Sequence, residues 1–130
     1  MTIFRTECRV RYVETDCAGI AHYASFFHYF EVGRMEMWRE LSLPYFEQLP
    51  IVETFCEYKA PARFDDLLEV QTFVAELRNK GFKIGHRVIR KDDGTLLAHG
   101  HTSFVTVDEE RRPVPVFDDF KTKFEEHLEG

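Results

Sequence analysis

Asp16 is the residue whose type and setting most suggest chemistry in this chain of 130 residues. It stands in Thr15-Asp16-Cys17-Ala18-Gly19, a turn of small residues between an alternating segment and a long apolar one. Gly19 can adopt positive φ at little steric cost, and small neighbours let a backbone or ligand approach closely. A helix should open near Tyr23 to Ser25, with Ser25 or an upstream residue as its cap. Its first turn offers backbone N–H groups without intrahelical partners, at the electropositive end of the macrodipole. Such amides can polarise a carbonyl or hold the oxyanion formed on attack. A carboxylate beside them can attack the acyl carbon or activate water to do so. These residues allow acyl transfer without demanding it, because Asp is equally at home as a turn residue or helix cap.

Four neighbours complete the candidate site. Tyr12 precedes Asp16 by four residues and, on the alternation of its segment, faces the core near the site. His22 is read either as orienting the carbonyl or assisting a proton transfer, or as simple packing. Tyr23 and the amides near it are the best candidates for polarising the carbonyl, and Phe26 lines or supports an apolar pocket. Glu31 is read as an internal ion-pair partner, with Arg34 the obvious choice. Cys17 lacks an identifiable base and reads as a small turn residue, not a thiol nucleophile. His99 and His101 share a strand face, but without further ligands they do not make a zinc site, so no metal is expected.

The elements that position these residues follow from periodicity. Ile3 to Val13 alternates, with Phe4, Cys8, Val10 and Tyr12 on one face and Arg5, Glu7, Arg9 and Arg11 on the other. The helix runs to about Leu41 and ends at Ser42-Leu43-Pro44. Tyr23, Phe27, Phe30, Met37, Trp38 and Leu41 share one side, with Phe26 beside them; His28, Glu31, Glu36, Arg39 and Glu40 mark the other, where Tyr29, Val32 and Met35 intrude. Gly33 in a helix interior costs roughly 1 kcal/mol against Ala, which points to close packing with a strand. Tyr45 to Pro50 is a connection. Strands follow at Ile51 to Lys59, Leu67 to Leu77, Phe82 to Arg90 and Thr95 to Val107, with Asp92-Asp93-Gly94 as a hairpin signal. Asp118 to Leu128 is a short charged helix. One apolar helix against a curved antiparallel sheet is a two-layer α+β domain, here a single domain over residues 1–130. One helix covers only part of such a sheet, so a second subunit is expected to extend or cover the rest.

Composition narrows the function. Hydrophobic residues make up 44% and aromatics 15%, enough for a real core. A net charge of −6 argues against a nucleic-acid partner, which needs a concentrated positive face. An anionic small molecule remains compatible if Arg63, Lys83 and Arg87, with Lys80, Arg90 and Lys91, form a local basic rim. Cys8, Cys17 and Cys56 contain no Cys-x-x-Cys pair and read as reduced thiols. The N-terminus is charged and strand-like rather than a signal peptide, and no apolar run is long enough to insert in a membrane. The expected location is cytoplasmic.

Three stretches carry a family resemblance. They are Tyr12 to Asp16 with Thr15-Asp16-x-x-Gly19, the run His22 to Glu31, and Tyr58 to Val70. Together with Arg111-Arg112-Pro113-Val114-Pro115 after Val107-Asp108, they resemble the hotdog-fold acyl-CoA thioesterases. The branch is the 4-hydroxybenzoyl-CoA thioesterase-like group that includes the Tol-Pal-associated YbgC-type enzymes. The resemblance implies an antiparallel sheet of five or six strands wrapped around one long central helix. It also implies homodimers or homotetramers with active sites at the dimer interface. The implied reaction is hydrolysis of an acyl-CoA thioester to a free acid and CoA, without metal or redox cofactor. The catalytic aspartate falls on Asp16, and a tyrosine and a histidine on Tyr12 and near His22. YbgC-type members read Tyr-His where this chain reads His22-Tyr23, which bears on the role of His22 and on the substrate. The basic rim would hold CoA phosphates. An acyl carrier protein as substrate carrier or an envelope complex as partner is also raised by that branch. Competing functions are a non-catalytic acyl-CoA-binding hotdog protein and a hotdog enoyl-thioester hydratase, whose Asp-x-Asn-Pro-x-His motif is absent here.

Overall fold

The computed structural model describes residues 1–44 and 49–128, so most of the Tyr45 to Pro50 connection lies outside the described residues. Strand β1 (Phe4–Arg9) follows the expected alternation, burying Phe4 and, just beyond its end, Val10. The alternation does not continue to Val13. After Arg9 the chain leaves the sheet and closes a 3-10 turn over Tyr12–Glu14. Three residues per turn replace the strand's two, so parity no longer predicts orientation. Tyr12, expected to face the core, is 79% exposed.

Helix α1 (Ser25–Glu40) buries Phe26, Tyr29, Phe30, Gly33, Met37 and Trp38, an i, i+3, i+4, i+7 stripe pressed to the sheet. Tyr29 therefore belongs to the core rather than the polar side, while Tyr23 precedes the helix and is 66% exposed. At Gly33 the close packing is real: an added Cβ would meet Thr72 Oγ1 at 2.2 Å and Val70 Cγ1 at 2.7 Å.

Strands β2 (Ile51–Tyr58), β3 (Leu67–Leu77), β4 (Gly81–Arg90) and β5 (Leu96–Val105) complete a five-stranded sheet in the order β1-β3-β4-β5-β2. All neighbours are antiparallel. The expected hairpin between β4 and β5 is present, with Gly94 at φ 74° and the Asp93 carboxylate accepting from the Thr95 amide. Since β1 and β2 are opposite edges, α1 carries the chain across the whole sheet. Residues 59–66 then bring it back from the β2 edge to β3, beside β1. Phe82, Ile84, His86 and Val88 of β4 face α1.

Two apolar clusters fill the space between layers. One joins Val10, Phe26, Tyr29 and Phe30 to Leu68, Val70, Val88 and Leu97. The other joins Met37 and Trp38 to Phe82, Phe104, Phe120 and Phe124. Helix α2 (Asp118–Leu128) supplies the last two, so it covers part of the sheet that α1 leaves open. Along β2 every residue except Cys56 is exposed, including Ile51, Val52, Phe55 and Tyr58. No helix among the described residues is long and apolar enough to cross a membrane.

Candidate functional site

The Asp16 turn is closed by its own backbone. The Asp16 amide donates to the Ile20 carbonyl at 2.9 Å, the Gly19 amide to the Asp16 carbonyl at 3.1 Å, and Gly19 takes φ 77° as anticipated. Thr15 and Ala21 form an antiparallel bridge, and the His22 amide reaches the Glu14 carbonyl at 2.7 Å. Residues 14–22 are therefore a small hairpin leading directly into α1. The returning segment clamps it from outside. The Ala21 amide donates to the Ala62 carbonyl at 2.7 Å, the Phe64 amide to the Gly19 carbonyl at 3.3 Å, and Ile20 bridges Arg63.

Asp16 is exposed in the single chain. Its Oδ1 accepts from the amides of Ala18 at 2.8 Å and Ile20 at 3.4 Å. Oδ2 has no partner among the described residues. One oxygen thus holds the turn while the other remains available.

The amides opening α1 are mostly occupied. The Ser25 amide donates to the His22 carbonyl at 2.8 Å, Phe26 to Tyr23 at 3.3 Å and Phe27 to Ala24 at 3.2 Å. The Ala24 amide donates to His22 Nδ1 at 3.2 Å. His22 thus accepts the amide of Ala24, the N-cap residue, whose own side chain makes no cap. Ser25, expected as a possible cap, is already helical and donates its hydroxyl to the Glu14 carbonyl at 3.1 Å. With Nδ1 accepting, a neutral His22 ring carries its hydrogen on Nε2. Tyr23 is left as the amide without a partner at this end, among the described residues. Its ring stacks on His22 at 4.4 Å, and its carbonyl also accepts from the Tyr58 hydroxyl at 2.7 Å.

Glu14 is a functional candidate that sequence reasoning missed. A charged residue two positions before a turn reads as solvent-facing, yet Glu14 is only 8% exposed. Its Oε1 accepts from the Arg11 amide at 2.8 Å and the Tyr29 hydroxyl at 2.9 Å, and its Oε2 from Arg11 Nε at 2.7 Å. Burial opposes the charged form, but these donors outweigh it and hold the carboxyl below its ordinary range. Burial, then the adjacent Glu14, pushes the Tyr29 hydroxyl far up. The only trace in the sequence was the three-residue spacing from Arg11.

The other predicted residues divide. Tyr12 packs edge-on against exposed Phe64 at 5.8 Å beside the turn, and its hydroxyl has no partner among the described residues. Phe26 is buried, edge-on to Tyr29 and Tyr58. Arg63 lies at the clamp on the turn. Lys83 and Arg87 do not join it. They alternate with Ile84 and His86 and so lie on the sheet face away from α1, where Lys83 is 3.8 Å from Glu76. Arg34 makes no ion pair with Glu31 within 4.0 Å; its guanidinium donates to Thr102 Oγ1 at 3.4 Å and lies over Phe104. Each of His99 and His101 faces a β2 glutamate, Glu57 at 3.3 Å and Glu53 at 2.8 Å. No group of three metal-ligating side chains occurs among the described residues.

Comparison with known proteins adds a family to this geometry. The profile of the Thioesterase-like superfamily matches residues 10–124. A curated relative, acyl-CoA thioester hydrolase YbgC of Escherichia coli, is 33% identical over 116 residues, covering 82% of this chain and 84% of the relative. The crystal structure of a 1,4-dihydroxy-2-naphthoyl-CoA thioesterase from Synechocystis superposes with a TM-score of 0.88 at 21% identity, covering 95% and 96% of the two chains. A mutant 4-hydroxybenzoyl CoA thioesterase complexed with 4-hydroxybenzoyl CoA gives 0.82 at 24% identity, covering 93% and 97%. These two structural likenesses establish the architecture, the hotdog fold.

Proposed function

The chain belongs to the thioesterase-like superfamily, and from that premise we propose that it hydrolyses an acyl-CoA thioester to a free carboxylic acid and CoA. Asp16 acts through Oδ2 by one of two routes. It attacks the thioester carbonyl carbon, so that CoA leaves as its thiolate and water hydrolyses the resulting mixed anhydride back to the carboxylate and a free acid. Alternatively, it takes a proton from a water that attacks the thioester directly and expels CoA. The Tyr23 amide donates to the carbonyl oxygen and to the oxyanion that replaces it. The observation supporting this reading is that, among the described residues, Asp16 Oδ2 and the Tyr23 N–H have no partner, while Asp16 Oδ1 and the neighbouring Ala24 amide do.

His22 serves first as the acceptor for the Ala24 amide, through Nδ1. Arg63 is the basic residue of this chain best placed for a CoA phosphate. Lys83 and Arg87 would serve only a substrate held by another copy. That copy is part of the proposal, because an exposed carboxylate gains reactivity when water is excluded around it. Strand β2 is an exposed, apolar edge of the kind that natural proteins cover, so pairing there would make a dimer in which a second subunit encloses the site.

Thiol release from a panel of aromatic, short-chain and long-chain acyl-CoA esters tests the reading. Asp16→Asn should stay folded and lose at least about 100-fold in kcat on the preferred ester, the scale on which removing a positioned acid or base acts. Near-wild-type turnover by this variant would remove Asp16 from the mechanism. Ligand-induced thermal stabilisation without any thiol release would favour a binding protein instead.

A further inference from the structure

Glu14 touches both flanks of the proposed site, and no step of the chemistry above uses it. Its carbonyl receives the His22 amide at 2.7 Å and the Ser25 hydroxyl at 3.1 Å. Its carboxylate receives the Arg11 amide and guanidinium and, from the second turn of α1, the Tyr29 hydroxyl. Asp16 lies two residues further along the chain, and the unpartnered Tyr23 amide follows His22 directly. We propose that Glu14 is a positioning residue: bonded to Tyr29, it locks the hairpin carrying Asp16 against the opening turn of α1 and so fixes carboxylate and amide relative to each other. This rests on the hydrolase reading above.

Stability alone is a poor reason for the arrangement. Burying a carboxylate costs several kcal/mol before its partners repay it, and an apolar side chain of similar volume commonly serves a core equally well. What a fully bonded buried carboxylate adds is a specified geometry, since every donor must be met together. Tyr29 is anchored in turn, with its ring edge-on to Phe26 at 5.4 Å inside the apolar cluster. The lock therefore ties the exposed hairpin to the rigid part of the fold. Geometry is what such a reaction depends on, as a misplacement of about 1 Å can cost roughly 100-fold in rate.

Two readouts test this. In Tyr29→Phe the ring stays and only the hydroxyl goes, and Glu14→Met removes the acceptor at similar length. Each should lower kcat more than 10-fold with KM within 3-fold, assayed well below the variant's own Tm. The double variant should be no worse than the poorer single one. Glu14→Gln keeps a carbonyl oxygen at the Oε1 position and should retain kcat within about 5-fold. By amide hydrogen exchange, protection at Asp16 and His22 should fall at least 10-fold in Tyr29→Phe while the β4–β5 amides keep theirs. If Tyr29→Phe keeps wild-type kcat and wild-type exchange at Asp16 and His22, the lock does not exist. The same holds if Tyr29→Phe lowers only Tm. Should Glu14→Met fail to fold, Tyr29→Phe decides alone. Exchange is measured without substrate, so a wild-type protein that releases no thiol would defeat the hydrolase reading and leave the lock to be judged by exchange.

Discussion

Gly33 of α1 sits so tightly against Thr72 of β3 that a single added methyl carbon would lie 2.2 Å from the threonine hydroxyl oxygen. The glycine is therefore a spacing device. It lets the helix approach the sheet midway along its length, while Phe26, Phe30 and Trp38 fill the space on either side.

Replacing this glycine sets two effects in opposition. Gly33→Ala gains roughly 1 kcal/mol of helix propensity but forces Val70 and Thr72 to move, and overpacking a core costs about 1–3 kcal/mol. A net destabilisation of about 1–2 kcal/mol is expected from the urea midpoint. Thr72→Ala in the same chain should recover part of it, since Thr72 Oγ1 is buried without a partner among the described residues. A stabilised Gly33→Ala would mean that α1 can slide off the contact.

His86 gives the fold an acid-sensitive point. It is 1% exposed, lies flat on Phe30 with centroids 4.4 Å apart, and has Nε2 3.3 Å from Thr102 Oγ1. Burial, followed by the positive Arg34 and by His101, holds it well below its ordinary 6.5. Below pH 6.5 the unfolded chain binds a proton at this residue that the native chain refuses. Its share of stability is thus complete above that pH and declines as pH falls, with a slope of at most about 1.4 kcal/mol per unit. Between pH 7.5 and 5.0 the urea midpoint should drop, and His86→Phe should flatten the drop. An unchanged slope in that variant would place the sensitivity elsewhere. Glu14 adds to the decline only at still lower pH: its carboxyl is held below an ordinary 4.5, so its share of stability is complete above that pH and is lost as pH falls below it.

His22 separates capping from proton transfer. If the Ala24 amide is its main partner, His22→Ala should cost about 1 kcal/mol, the usual value of a lost cap. Asparagine, whose side-chain oxygen can accept the same amide, should restore stability and keep kcat within about 3-fold. A His22→Asn variant that is stable but more than 100-fold slower would show that the imidazole handles a proton.

Most of the scaffold could be read from side-chain periodicity. Leu67–Leu77 and Asp118–Leu128 begin and end where expected, because their burial patterns are regular and their borders are marked by Gly, Pro or acidic residues. Gly33 was legible for the same reason: a helix keeps glycine in its middle only where something presses on it. The misses have separate causes. Strand parity carries Tyr12 to the core, yet it lies in a 3-10 turn that exposes it, and the same turn buries Glu14, for which the alternation up to Val13 makes no prediction. Helical spacing sets Tyr29 on the polar side; its ring is nonetheless buried, because its hydroxyl meets the buried Glu14 carboxylate, a partner only the folded chain supplies. Lys83 and Arg87 were grouped with Arg63 by charge, although sheet pleating sends them to the opposite face.

The hairpin that presents Asp16 and the Tyr23 amide is held by main-chain bonds, while the side chains around it, Tyr12, Val13, Tyr23 and Phe64, project outward. On the proposed mechanism, the reacting groups and the surface that would meet a ligand are thereby uncoupled. Exchanging those outward residues is expected to change which ligand is accepted while the main-chain bonds of the hairpin stay in place. Randomising these four positions together is accordingly the shortest laboratory route to altered selectivity.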